Sequence, residues 1–448
     1  MYTKRFLTGV CATAVAATAL VAAAAPGSGR SASVVLPPGN TVEQWNKIAE
    51  DTVVGSGAFQ IEGFIYMAYE STAVYDATVS LRDGYKPLLP AFRVYKKASL
   101  EAAIVEAAYR TLTHYFPTAA PTLDPLYATA LAAIPNGQAK LAGQRIGWVA
   151  ANQVIRARTG DGLQTPVAST LTFPTLTPGP GVYRLTSPFA APQTPWAANV
   201  RPFILTSGSQ FRPGPPPALS SSDWVTAYNE VTTYGGATST MRTADETKIA
   251  KFWSANTIRQ YNRVARDITD AKGFSLVQTA RLAAMVNDVA ADAGISVMDA
   301  KYHYLFWRPI TAIDPSSVSS SDGFGPTTGF SDGNSATVEQ TGWKPLLAVP
   351  NHPEYPSAHG SVSGALTRVF ASVLGGQLNI DIHGFDPNGA PGNSDAVQHF
   401  NTADDLTSQI VNARVWAGLH YRFSGQAGVA LGTSIGDYDL KHAFQPAR

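Results

Sequence analysis

Apolar residues recur along most of this chain at three- and four-residue intervals, the spacing that gathers them on one face of an α-helix. Leu100, Ile104, Val105, Ala108, Leu112 and Tyr115 form one such stripe, and Pro117 ends it. Comparable stripes at about 42–80, 120–159, 223–234, 242–270 and 275–300, then 358–374, 402–417 and 425–440, predict further helices. Alternating strand patterns are scarce, so the chain reads as all-α. Residues 161–222 break the rhythm with Pro, Gly, Ser and Thr, as in Pro213-Gly214-Pro215-Pro216-Pro217. A solvated linker would have no use for Trp196, Phe203, Ile204 and Phe211. These anchors predict an ordered, irregular segment laid over the helices. The expected organisation is an N-terminal helical half (26–160), the irregular segment (161–222) and a C-terminal helical half (223–448), with shorter loops near 313–341 and 380–398.

The first 25 residues differ from the rest. Lys4 and Arg5 precede a nearly unbroken apolar run from Phe6 to Ala25, which ends in four alanines and Pro26-Gly27. About 20 apolar residues can span a bilayer, but the alanine-rich composition and small-residue end predict a cleaved signal peptide over 1–25. Export follows, with no membrane attachment after cleavage. Cys11, the one cysteine, lies in this segment. The mature chain would then carry neither disulfide nor catalytic thiolate. Lys plus Arg total 33 against 32 Asp plus Glu, a balance that gives no footprint for nucleic acid. Any bound anion must be held by a few converging cations.

Three segments carry such residues. In the first, Lys301 and Arg308 are seven apart, two helical turns along nearly one face, with Pro309 predicted to end the helix at Arg308. In the second, His352-Pro353-Glu354-Tyr355-Pro356-Ser357-Ala358-His359 runs into an apolar stripe. A helix is expected to begin near Ser357, where free N–H groups favour an anion. Ser357 is equally suited to cap that helix. In the third, Arg414 and His420 are six apart, about 120° around a straight helix, so they converge only if the chain leaves the helix between them. Gly418 is the place for that.

Lys-x6-Arg-Pro, Pro-Ser-x-His and Arg-x5-His in this order resemble the vanadium-dependent haloperoxidases. They equally resemble their relatives, the type-2 phosphatidic-acid-phosphatase superfamily of acid phosphatases. The shared blocks lie between residues 301 and 420. Asp299-Ala300-Lys301 and Trp307-Arg308-Pro309-Ile310-Thr311 are closer to the haloperoxidase branch. The resemblance implies two four-helix bundles with long irregular loops. It also implies a pocket for vanadate, which phosphate can occupy as well. In that pocket Lys301, Arg308 and Arg414 hold the oxygens, and Ser357 and the Ala358 N–H add hydrogen bonds. His420 binds vanadium, and His359 is the acid–base group. His352 matches a second histidine of bromoperoxidase-type members and, with Trp307, is a candidate for the halide side of the pocket, which points to bromide or iodide. The implied partners are hydrogen peroxide, halide and a small organic acceptor, and a homo-oligomer is compatible with the reading.

Two positions depart from the family pattern. Ala358 stands where glycine is usual, and its methyl crowds the anion. Ser424 stands where an aspartate often follows the histidine by four residues, so His420 is expected to be less polarised unless another carboxylate substitutes. A secreted acid phosphatase working through a phosphohistidine, and a non-catalytic anion-binding relative, are the alternatives. A zinc enzyme is disfavoured, since no H-E-x-x-H spacing occurs. Asp386, Asn388, Asn393 and Asp395 read as turn residues rather than calcium ligands.

Overall fold

The periodic stripes are helices in the computed structural model, which describes residues 34–447 apart from 93, 168–178, 187–190, 318–330 and 385–395. The signal segment 1–25, Cys11 and the four turn residues from Asp386 to Asp395 lie outside the described residues. The stripe at 42–80 is divided into α1 (Thr41–Gly55) and α2 (Gln60–Leu81). Asn40 starts α1 with a reciprocal cap: its side chain accepts from the Val42 and Glu43 N–H groups while Glu43 accepts from the Asn40 N–H. Three more helices complete this half: α3 (Leu100–Tyr115), α4 (Ala120–Ala132) and α5 (Gln138–Arg158).

The C-terminal part contains α6 (Ser222–Gly235), α7 (Ala244–Phe252), α8 (Thr257–Lys272), α9 (Leu276–Tyr304) and the short α10 (Pro309–Ile313). It continues with α11 (Ala358–Leu374), α12 (Ala403–Trp416) and α13 (Arg422–His442). The strands among the described residues are β1 (Ile380–His383) and β2 (Val397–Phe400), an antiparallel pair with Ile380 opposite Phe400. The all-α expectation is met. Among the described residues no helix is long and apolar enough to cross a membrane.

Helix α9 is buried along almost its whole length and packs against α2, α8, α11 and α13. One apolar core therefore runs through both helical parts, from Trp45 and Phe64 through Met285 and Met298 to Leu366 and Phe370. Trp196, Phe203, Ile204 and Phe211 of the irregular segment pack against it. The fully buried Asp292 of α9 ties that segment down by accepting the N–H groups of Phe203, Ile204 and Leu205.

Helices α11 and α13 approach at backbone contact. A Cβ on Gly432 would fall 1.8 Å from the Ser361 carbonyl oxygen, so only glycine fits there. This closeness matters for the site, because the residues just before α11 and just before α13 carry its chemistry.

Candidate active site

Lys301 and Arg308 do not meet along one helix face. The sequence predicts a helix running to Arg308, but α9 stops at Tyr304 and Leu305 turns left-handed with φ +50°. Arg308 lies beyond the turn as the N-cap of α10. Both side chains are fully buried and grip the same stretch of backbone. Lys301 Nζ donates to the carbonyls of Pro353 and Glu354, each at 2.8 Å. Arg308 Nε donates to the His352 carbonyl at 2.9 Å, and its terminal nitrogens reach the Leu419 carbonyl (2.9 Å), His352 Nδ1 (3.0 Å) and His420 Nε2 (3.3 Å).

Ser357 caps α11 as expected, its hydroxyl oxygen accepting the Gly360 N–H at 3.4 Å. Its own N–H donates to the Ser424 carbonyl at 3.0 Å, which joins the start of α11 to the start of α13. His359 sits in the first turn of α11.

Helix α12 ends at Trp416, two residues past Arg414. Gly418 then takes φ +75°, and the Leu419 and His420 N–H groups both turn back onto the Arg414 carbonyl. A side chain at Gly418 would be strained by that φ and would meet the Gly235 carbonyl oxygen at 2.4 Å. The predicted break at Gly418 thus lets Arg414 and His420 face the same place. His420 Nδ1 lies 2.8 Å from Glu354 Oε1, the same oxygen that accepts the Tyr421 N–H at 3.0 Å. Ser424 Oγ is 3.5 Å from that Nδ1.

His352, Ala358, His359, Arg414 and His420 line a cavity of about 90 Å³, closed by Phe59, Gln60, Ile61, Thr257, Pro350 and Val362. Drug-sized ligands occupy roughly 300–1,000 Å³, so this volume suits a small ion. Lys301, Arg308 and Ser357 stand behind the lining. A larger groove of about 640 Å³ between α8 and β1 contains none of the candidate residues. Trp307, placed at the halide side by sequence, is not among the lining residues. Its ring stacks on Trp224 at 5.9 Å in a separate aromatic cluster.

Burial dominates the electrostatics. It holds Lys301 well below the usual lysine range, with Arg308 pushing the same way and Glu354 opposing. Arg308 is drawn down to about 10 and Arg414 to about 9, mainly by burial, and both stay protonated at neutral pH. Burial, reinforced by these cations, keeps His352, His359 and His420 well below the ordinary histidine value, so all three are neutral. Burial raises Glu354 to about 7 against the pull of Lys301 and Arg308. Two buried atoms have no hydrogen-bond partner although they belong to cavity-lining side chains: Arg414 Nε and His359 Nε2. Three cations opposed by one carboxylate, beside an orphaned donor at Arg414 Nε and an unpartnered ring nitrogen at His359 Nε2, are costly unless an anion completes them. The residues present therefore fit a tetrahedral oxyanion such as vanadate or phosphate.

The sequence reading missed Glu354, and it missed the wall formed by Phe59, Gln60, Ile61 and Thr257. Glu354 stands in the Pro-rich stretch before Ser357, and its neighbours gave no sign of a partner 66 residues on. The wall residues have no motif at all.

Comparison with known proteins places the fold beside known ones. Residues 281–448 match the family model of the VCPO second helical-bundle domain. The chain is 25% identical over 295 residues to a vanadium chloroperoxidase of Curvularia inaequalis, a stretch covering 54% of this chain and 47% of that protein. It thus spans about half the length of that curated relative. A bacterial vanadium-dependent iodoperoxidase superposes with TM-score 0.72 at 21% identity, over 92% of this chain and 99% of the other. A bacterial vanadium-dependent chloroperoxidase in its apo form gives TM-score 0.65 at 16% identity, over 85% and 93%. Residues 281–448 therefore carry the likeness of the VCPO second helical-bundle domain, on a chain whose fold is the one seen in vanadium haloperoxidases.

Proposed function

We propose that this chain is a secreted vanadate-dependent haloperoxidase that oxidises bromide or iodide with hydrogen peroxide. The carrying observation is a small cavity lined by Arg414, His359, His352 and His420, where Arg414 Nε and His359 Nε2 lack partners and buried Lys301 and Arg308 stand behind the wall. The relatives named above are two chloroperoxidases and an iodoperoxidase, and secretion is supported by the apolar segment 1–25. Lys301, Arg308 and Arg414 would hold the oxygens of vanadate, with the Ser357 hydroxyl and the Ala358 N–H as further donors. His420 would be the protein's ligand to vanadium.

Vanadate when bound supplies a Lewis acid that polarises peroxide without changing its own oxidation state. The remaining work belongs to the chain. Neutral His359, kept so by burial and by Arg414, can take up a proton at Nε2 and return it. His352, 5.8 Å from the Phe59 ring, places a second neutral imidazole against an aromatic wall where a soft halide can rest, and this supports bromide or iodide. The Ala358 methyl narrows the cavity and leaves its N–H in place.

The test is bromide- and iodide-dependent peroxidase activity of the purified protein after phosphate removal, with and without orthovanadate. Activity that appears with vanadate and is competed away by phosphate is expected. No turnover with either halide, together with hydrolysis of a phosphomonoester abolished by His420→Ala, would replace the reading with a phosphatase.

A further inference from the structure

Glu354 is the buried group to which the sequence assigns no role, and its surroundings are unusually determinate. Its backbone is held on both sides: the N–H donates to the Phe306 carbonyl at 2.9 Å, and the carbonyl accepts Lys301 Nζ at 2.8 Å. Its side chain is fully buried, with Oε1 taking the Tyr421 N–H and lying 2.8 Å from His420 Nδ1.

Donor and acceptor identities settle how His420 carries its proton. Oε1 already accepts a backbone N–H, so it accepts from Nδ1 as well, and a proton on this carboxyl would sit on the unpartnered Oε2. On the other side of the ring, Arg308 reaches Nε2 at 3.3 Å, and a guanidinium can only donate. Both contacts require Nδ1–H and a bare Nε2. Ser424 is the weaker candidate for this duty. Its hydroxyl is 3.5 Å from Nδ1 and also lies 3.4 Å from the Glu354 carbonyl, to which it donates.

We infer that Glu354 is a positioning residue that fixes His420 with its proton on Nδ1 and so leaves Nε2 proton-free, the nitrogen that Arg308 now approaches and that would meet the oxyanion, supplying from the loop before α11 a carboxylate where Ser424 offers only a hydroxyl. The inference rests on the proposed function only in naming the oxyanion that meets Nε2. A carboxylate–imidazole pair of this kind orients the ring and raises its basicity, and losing such a partner typically weakens metal affinity about 10- to 100-fold.

The experiment uses the full chain labelled with ¹⁵N-histidine, which contains eight histidines. His420→Gln assigns the resonance, and protonated and bare ring nitrogens resonate in separate ranges. Phosphate and vanadate affinities are measured by equilibrium dialysis on the same samples. Wild-type protein is expected to show Nδ1–H. Glu354→Ala should lose that tautomer and bind vanadate, the anion that His420 would ligate, about 10- to 100-fold more weakly, and Ser424→Asp added to it should restore both. Ser424→Ala alone should change neither. Should Glu354→Ala fail to fold, the isosteric Glu354→Gln decides: it keeps an acceptor at Oε1 and so the tautomer, but vanadate affinity must fall because the charge that makes the ring more basic is gone. An unchanged vanadate affinity in Glu354→Gln, an unchanged tautomer in Glu354→Ala, or loss of both in Ser424→Ala would overturn the inference. Wild-type Nδ1–H in a protein that takes up neither anion would overturn the proposed function and leave Glu354's role standing.

Discussion

Gly432→Ala tests whether the contact between α11 and α13 holds the site together. The added Cβ would lie 1.8 Å from the Ser361 carbonyl oxygen and 2.8 Å from the Ala365 nitrogen. Carbon–oxygen contacts settle at about 3.3 Å or more, so the helices must part by roughly 1.5 Å. Neither neighbour is a side chain that could rotate away. Helix propensity alone favours alanine over glycine by about 1 kcal/mol. Overpacking costs about 1–3 kcal/mol and more where nothing yields, so we expect a net loss of about 2 kcal/mol. The displacement also separates Ser357 and His359, ahead of and within the first turn of α11, from His420, two residues before α13. A shift of about 1 Å in reacting groups lowers turnover roughly 100-fold. Urea unfolding and phosphate affinity of the variant give both readings. Gly55, the last residue of α1, has open space around it, and Gly55→Ala is the control expected to be neutral or stabilising. A Gly432→Ala protein as stable as the parent, with unchanged phosphate affinity, would refute the reasoning.

Two further outcomes follow from buried charge. Arg414→Met removes a fully buried cation depressed by burial and by Arg308, so its melting temperature in anion-free buffer should rise. Phosphate at 100 times its dissociation constant should stabilise the parent by about 2.7 kcal/mol and the variant not at all. A lower melting temperature without anion would count against this. Glu70 is raised by burial to about 8 from its ordinary 4.5, so the folded state keeps a proton that the unfolded state releases between these values. Its stability contribution is complete below about pH 4.5 and is lost as pH rises through about 8. Glu70→Gln should therefore gain on the parent across that window by up to roughly 1.4 kcal/mol per pH unit and stay level above it. Parallel pH–stability curves would contradict the assignment.

Much of the architecture is legible in the sequence because α-helices announce themselves locally. The stripe from Val362 to Leu374 and the Ser357 cap locate α11 at Ala358–Leu374, and Gly418 marks where the chain leaves α12. The seven-residue spacing of Lys301 and Arg308 misleads, because Pro309 shows that a helix must end but not where. The left-handed turn falls at Leu305, a residue with no glycine-like permissiveness to signal it. Trp307 reads as pocket wall because an aromatic beside a candidate anion-holding arginine looks the same in sequence whether it faces a cavity or another ring. Glu354 was invisible as a partner of His420 for a deeper reason. Its contact depends on how two loops pack, and nothing periodic in either loop records the other.

The cavity's remaining boundary has its own consequence. Phe59, Gln60 and Ile61 are the N-cap and first two residues of α2, some 240 residues before Lys301 in the chain, and Gln60 is held by Thr257, whose N–H and hydroxyl both donate to its Oε1. On the proposed function, the groups that would hold the ion and the wall that an incoming molecule would meet are written in different stretches of the gene product. Changes at 59–61 would then alter which molecules are admitted while Lys301, Arg308 and Arg414 stay where they are, so that reactivity and clientele would be open to change one at a time.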